Sequence, residues 1–265
     1  MTKDIGAASA TLRDKLIAAA PPWTVAKTGA APFRFRRRKR KQFRPKGGHA
    51  LQFFEMAAPA PAVDWRATGR LLPPLDQGAC NSCSAFALTA AMGDLSRLGG
   101  GGVPRHLSPS FVHMCLGRKT CGESLDLGPA ISGATRTAVP LIEAQETFDE
   151  QSCASAHGVL NVATRYDLWT DQDGFEALRR GPILGVMDLY PDFWEYYAGG
   201  MYTHVAGDWQ SAHSVEIVGY DRPQGYWIIK NSRGSSWGEG GYARIRFGEC
   251  GILAPGGHGA IQIAV

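Results

Sequence analysis

Hydrophobic positions change their spacing part-way along the chain. Between 82 and 98, Phe86, Ala90, Leu95 and Leu98 recur at helical intervals among Ala and Thr, and the run ends in Gly99 to Gly102. That pattern predicts a mostly buried helix. Ser108-Pro109 reads as an N-cap followed by proline at the first helical position, opening a second helix into 111–116. Further helices are expected over 127–137 and 172–180, the latter closed by Gly181-Pro182, and a short one within 2–20 before Pro21-Pro22. Beyond 182 the character is strand. Segments 183–189, 213–220, 226–231 and 242–247 are β-branched and aromatic, separated by Gly, Pro and Asp turns. No internal repeat, heptad series, Walker loop or dinucleotide-binding glycine signature is present, which argues against nucleotide-driven chemistry.

Composition adds a core and a division. With 44% hydrophobic and 20% charged residues in 265, the chain is of ordinary globular type. The apolar stretch 16–20 is too short to span a bilayer or to serve as a secretory leader, so a transmembrane segment is not expected. Residues 1–56 carry 13 Lys/Arg against three acids, a net +10, while the remaining 209 carry 15 against 21, a net −6. A break of that size suggests a basic extension on an acidic body, joined in the Ala/Pro stretch 57–62. Nine of the fourteen residues 33–46 are basic, and such a block repels itself.

All six cysteines fall in the body, and Cys80 and Cys83 form the sole CxxC. Without a second pair a structural zinc is not expected, and the Pro-rich loop 71–78 before Cys80 is not the βαβ context of a thioredoxin-type dithiol.

Three patches carry the chemistry: Asp76-Gln-Gly-Ala-Cys80-Asn-Ser-Cys83-Ser-Ala-Phe86, Ala212-His213-Ser214-Val215, and Ile229-Lys-Asn231-Ser-Arg-Gly234. From Cys83 the gaps are 130 residues to His213 and 148 to Asn231. Taken singly, a Cys opening a helix is a small hydrophobe, a His opening a strand a structural residue, and an Asn before Ser-Arg-Gly a turn residue. The ordered set resembles the papain-like (C1) cysteine peptidases, in which His and Asn follow the Cys by roughly 130 to 150 residues. Val63-Asp-Trp-Arg66, Leu107-Ser-Pro109, Gly219-Tyr220, Trp237-Gly238, Gly241-Tyr242 and Cys250-Gly251 extend the resemblance over nearly the whole body.

The resemblance implies a two-lobed α+β fold, with a helical lobe over about 70–165, a barrel-like antiparallel β lobe over about 166–265, and the active-site cleft between them. Domain limits of 1–58 for the extension and 59–265 for the peptidase follow. Cys83 is the implied nucleophile, acidified by a helix N-terminus and an imidazolium. His213 is the implied acid/base, Asn231 the group that fixes its tautomer, and Gln77, with the Cys83 N–H, the oxyanion donor. No metal or organic cofactor is expected, and the chain is expected to act as a monomer on a peptide or protein substrate. An acyl transferase would use the same residues.

Finer points also come from the resemblance. Cys80 is implied to pair with Cys121 and Cys115 with Cys153, while Cys250 lacks the partner of the family's third bridge and should be a free thiol. The alternative for the four is buried free thiols in a reducing compartment. Trp237 matches the aromatic of the primed side, or else belongs to the core. Val186, Ala212 and Pro255 match the non-primed specificity pocket, giving an apolar pocket without a buried acid, and Glu123 and Ser124 stand where a glycine rail is usual. Ser84 replaces an aromatic after the nucleophile, Asn81 a glycine, and Arg233 the Trp that shields the His and Asn pair. A more solvated pair is expected, with Arg233 disfavouring imidazolium by like charge.

The extension admits three readings. Charge complementarity suggests autoinhibition, with 51–56 lying through the cleft and Phe53 and Phe54 as anchors. The run 33–46, with Phe33, Phe35 and Phe43, suggests polyanion binding. The third is a solvated tail. Beside the peptidase stands a catalytically weak homologue used as a binding module. Two family-type disulfides point to an oxidising location, whereas no Sec-type signal is seen.

Overall fold

The computed structural model describes residues 5–29, 40–46, 48–50, 60–102, 105–142, 153 and 157–265, with the main chain alone for 5–11, 49 and 50. The chain opens with helix α1 (Ile5–Ala19) and strands β1 (Trp23–Val25), β2 (His49–Ala50) and β3 (Ala62–Asp64). The helical half follows: α2 (Cys83–Leu98), a π-helical turn over Phe111–Leu116, α3 (Leu127–Arg136), and the short strands β4 (Val139–Pro140) and β5 (Gly158–Leu160). Then come β6 (Thr164–Leu168), α4 (Asp171–Leu178), β7 (Ile183–Leu189), α5 (Pro191–Tyr196), β8 (Tyr197–Tyr202), β9 (Ser211–Asp221), β10 (Tyr226–Lys230), β11 (Tyr242–Arg246) and β12 (Ala260–Ala264).

The expected α+β division holds, but the sheet is not a closed barrel. Its order is β1-β8-β11-β10-β9-β7-β12-β6-β2, with β3 added on β9, so β1 and β2 stand as open ends. Nor is it wholly antiparallel, because β11 pairs with β8 and β2 with β6 in parallel. Two glycines permit close approaches: a Cβ on Gly219 would lie 2.2 Å from the Val63 carbonyl of β3, and one on Gly200, at φ +93°, would lie 2.9 Å from Trp23 Cα of β1.

The core divides as the elements do. One cluster joins α2, α3 and the π-helical turn to Leu184, Val186, Ile261 and Ile263 of the sheet. A second lies on the opposite side of the sheet, among β7–β11, α4 and α5, and a small third gathers Val218, Tyr226 and Ile228. Leu16 and Trp23 are buried in this second cluster, so the extension over 12–28 is part of the packed molecule rather than a solvated tail. Across the lobes, Lys230 Nζ on β10 donates to Asp94 Oδ2 on α2 at 2.5 Å and lies 3.3 Å from Glu216 on β9, all three buried. Burial drives the Glu216 carboxyl well above its ordinary range, with Asp94 adding to the effect.

Candidate active site

Cys83 is the first residue of α2, after Ser82 at the N-cap position. The preceding loop is clamped on two sides. Asn81 N donates to Cys121 O at 3.0 Å beside the Cys80–Cys121 disulfide, and Gln77 N donates to Ser232 O at 3.0 Å. His213 comes from β9 and Asn231 follows the end of β10. Asn231 Oδ1 accepts from His213 Nε2 at 2.9 Å and from Ser232 N at 2.9 Å. With its oxygen turned to two donors, the amide fixes the tautomer that carries hydrogen on Nε2 and leaves Nδ1 as an acceptor. Cys83 and His213 line one cavity together with Ser84, Ser214, Val186 and Ala212.

Burial works against charge on both members. The Cys83 thiol is pushed up by its dense surroundings, opposed by hydrogen bonds from the main chain and hydroxyls of Ser214 and Ser84. Those hydroxyls also bond each other at 2.9 Å. The imidazole of His213 is pushed down to about 4, first by burial and then by the Arg233 charge, against the support of Asn231.

Part of the extension borders the same cavity, whose walls include residues 41–46. Phe43 N donates to His258 Nδ1 at 2.8 Å, Phe43 O accepts from Gly259 N at 2.9 Å, and Gln42 Nε2 bonds Gly256 O. Arg40 meets Asp188 with Nη2 2.5 Å from Oδ2 and Nε 3.3 Å from Oδ1. The expected occupant, 51–56, lies outside the described residues, as do Phe33, Phe35 and the rest of the run over 33–39. Residues 41–46, which border this cavity, are held by main-chain bonds, the Gln42 side chain and packing of Phe43 against the core of the helical lobe, with the Arg40–Asp188 ion pair just upstream.

A model of the papain family cysteine proteases matches residues 59–255. The chain is similar to macrodontain-1 of Ananas macrodontes, 31% identical over 207 residues that cover 72% of this chain and 93% of that protein. It is 33% identical over 235 residues to cathepsin K of Gallus gallus, covering 80% and 67% of the two. The chain belongs to the papain family of cysteine proteases. Its fold is also that of procathepsin L 3 from Tenebrio molitor larval midgut (TM-score 0.74, 23% identity, 98% of this chain and 88% of that one) and of proCathepsin B S9 from Trypanosoma congolense (0.76, 19%, 100% and 99%). As a papain-family peptidase it hydrolyses peptide bonds in a peptide or protein substrate. Among the described residues no helix is long and apolar enough to cross a membrane.

Against that family pattern, Arg233 does not leave the His213 and Asn231 pair wetter. The two are 2% and 3% exposed. Trp194 of α5 sets its ring edge-on to His213 at 5.4 Å, and the Arg233 guanidinium lies 3.7 Å above that Trp194 ring, with Nη1 donating to Gly78 O at 2.9 Å. A Trp194–Arg233 stack covers the pair where a single Trp was missing. Burial lowers Arg233 to about 10, against the support of Asp76.

Other candidates separate into those at the cavity and those away from it. Ser124, Val186 and Ala212 line the cavity. Glu123 does not, since its carboxylate turns back to accept from Thr120 N and Oγ1, both at 3.1 Å. Pro255 is exposed, next to the Gly256 carbonyl that takes Gln42. Trp237 is a core residue, packed on Phe193 and Tyr197 with its Nε1 on Trp194 O at 3.2 Å, because the rings of α5 and β8 enclose it. Gln77 is buried, its Nε2 donating to Cys80 O at 2.7 Å and its Oε1 accepting from Ser232 Oγ. Disulfides join Cys80 to Cys121 and Cys115 to Cys153, and Cys250 is a buried free thiol.

A buried acid stands on the strand that carries Val186, although it is not among the residues that line the cavity. Asp188 stands two positions after Val186 on β7, on the same strand face, and is 2% exposed. It hides inside the apolar run of β7, so no local pattern marks it. Trp209, His258, Ser214 and Trp194 were likewise unflagged as site residues, since each acts through a partner distant in sequence.

Proposed function

We propose that Cys83 is the nucleophile, His213 the acid/base, Asn231 its orienting partner, and the Cys83 N–H with Gln77 the oxyanion donors, and that residues 1–58 act as an inhibitory segment on a peptidase domain of 59–265. His213 takes the thiol proton and Sγ bonds to the scissile carbonyl carbon. The C–N bond breaks as the imidazolium returns that proton to the leaving amine. Water then attacks the thioester, giving its proton to His213, and Cys83 is regenerated when the thiolate leaves. Gln77 uses one of its two N–H groups on Cys80 O, and its second is the donor this scheme requires.

The observation that carries the inhibitory reading is the course of residues 41–46 along the cavity of Cys83 and His213, with the chain on either side tied down. Upstream, Ala26 N and Thr28 N bond Tyr196 O and Glu195 O at 2.9 and 2.8 Å. Downstream, β2 pairs with β6 and Gly48 N bonds Asp167 Oδ2 at 3.0 Å. A peptide and this segment compete for one groove. The test is turnover of a fluorogenic dipeptidyl amide by the full chain and by a chain loosened at Trp23, each beside Cys83→Ala. Turnover that vanishes in the Cys83→Ala controls supports the assignment. No turnover, with Cys83 unlabelled by a peptidyl epoxide in both chains, overturns it in favour of a binding module.

A further inference from the structure

We infer that Asp188 is the anion of a subsite for a guanidinium side chain, so that the opened enzyme selects peptides carrying arginine on the part of the substrate that follows the course of residues 40–43. This rests on the reading that the extension runs along the substrate groove. The carboxylate is built for an incoming cation. Both groups of the body that hold it act on Oδ1: Trp209 Nε1 donates at 2.7 Å and His258 Nε2 lies at 3.3 Å. Oδ2 meets the Arg40 guanidinium, whose own side chain is 62% exposed while that of Asp188 is 3% exposed. Arg40 thus reaches a fixed, buried carboxylate from the solvent side, and its departure leaves Oδ1 oriented and Oδ2 open.

The surrounding contacts are those of a peptide site. His258 is oriented as a donor to Asp188 through Nε2 because Nδ1 accepts from Phe43 N at 2.8 Å, while Gly259 N donates to Phe43 O at 2.9 Å. Neither main-chain bond depends on the identity of residue 43, so another extended chain can make both. Asp188 is also close to the reaction centre in the fold. Along one face of a strand, alternate residues are about 7 Å apart, and Val186, one such step from Asp188, lines the cavity of Cys83 and His213. Burial opposes the charge on Asp188, yet with Arg40 in place the hydrogen bonds from His258 and Arg40 hold its carboxyl down at about 2. A guanidinium presents paired donors to a carboxylate and is the cation such a site fits best.

The test uses peptides identical except for arginine or citrulline, which share shape and differ in charge, placed in turn at each of the three positions before the scissile bond. Full-length Trp23→Ala/Arg40→Ala opens the groove and frees the subsite. It should cleave the arginine peptide at one of these positions with at least tenfold higher kcat/KM than its citrulline twin, and adding Asp188→Asn to that protein should bring the ratio to about one. Asn still accepts from Trp209 Nε1, and far-ultraviolet circular dichroism checks its fold. Binding of the same peptides to the two proteins in a Cys83→Ala background, by fluorescence anisotropy, separates recognition from chemistry. Arginine-selective binding without turnover in the Cys83 proteins would retain the subsite and remove the catalytic assignment. Equal binding of the twins at all three positions, or selectivity that survives Asp188→Asn, overturns the subsite whatever the turnover.

Discussion

Loosening the extension at Trp23 should uncover Cys83 without touching the groove. Trp23 is 4% exposed, donates from Nε1 to Thr203 O at 3.0 Å, and packs against Tyr202 and Tyr197 with ring centroids at 5.3 and 6.1 Å. Truncating a buried tryptophan to alanine costs about 3–5 kcal/mol. If that loss falls on docking of the extension, the fraction of molecules with the cleft open rises by roughly two to three and a half powers of ten, at about 1.4 kcal/mol per decade. The rate of Cys83 labelling by a peptidyl epoxide reads this directly and rises until the extension is fully released. Val218→Ala supplies the control, since Val218 is buried with Tyr226 and Ile228 in a cluster that no described residue of the extension joins. A folded Trp23→Ala protein that labels at the parent rate would refute the reasoning, as would an equal acceleration from Val218→Ala.

Other perturbations address single terms. Glu216 has a folded-state pKa above its unfolded value, so it binds its proton more tightly when folded and its contribution is lost as pH rises above about 4.5. Glu216→Gln should therefore raise Tm at pH 7.5 and leave it nearly unchanged at pH 4; an equal effect at both would contradict this. Ser84→Ala/Ser214→Ala removes hydroxyls that favour the thiolate, and since a hydrogen bond to a charged group contributes about 1.5–3 kcal/mol, alkylation of Cys83 by iodoacetamide at pH 6 should slow about tenfold or more. An unaltered pH profile of alkylation would show that the hydroxyls do not act on sulfur. Arg233→Gln removes the cation that lowers His213, so the imidazole should titrate above its present value of about 4 in an NMR titration of the Cys83→Ala protein; no movement would assign the depression to burial alone.

The parts of this molecule legible in its sequence are those where local pattern and tertiary outcome coincide. The helix expected over 82–98 is α2 (Cys83–Leu98), because its apolar phase and its glycine stop serve the same buried face. The strand 183–189 is β7 residue for residue, since a run buried on both faces needs no alternation to be recognised. The strands β6, β8 and β12 and the helix α5 drew no expectation. Helix α5 is only six residues long, too short for periodicity to declare, yet it supplies Trp194 against His213.

The same contrast explains the cleft. Order and spacing single out Cys83, His213 and Asn231, because catalysis needs fixed residue types at three places. That residues 41–46 border the same cavity is less legible, since Phe43 packs against the helical-lobe core but the rest of the hold comes from its main chain, Gln42 and one ion pair at Arg40. Hydrogen bonds to main chain carry no side-chain signature, and an ion pair 148 residues apart has no local one. The excess of positive charge in the extension and of negative charge in the body suggests an encounter without naming its contact. Asp188 supplies that contact: it is a single acid in an apolar strand whose carboxylate is oriented by Trp209 and His258 and closed by Arg40. The shielding of His213 follows the same rule. Losing the expected Trp at 233 looks like exposure when positions are compared one at a time, but Trp194 and Arg233 rebuild the cover as a stacked pair.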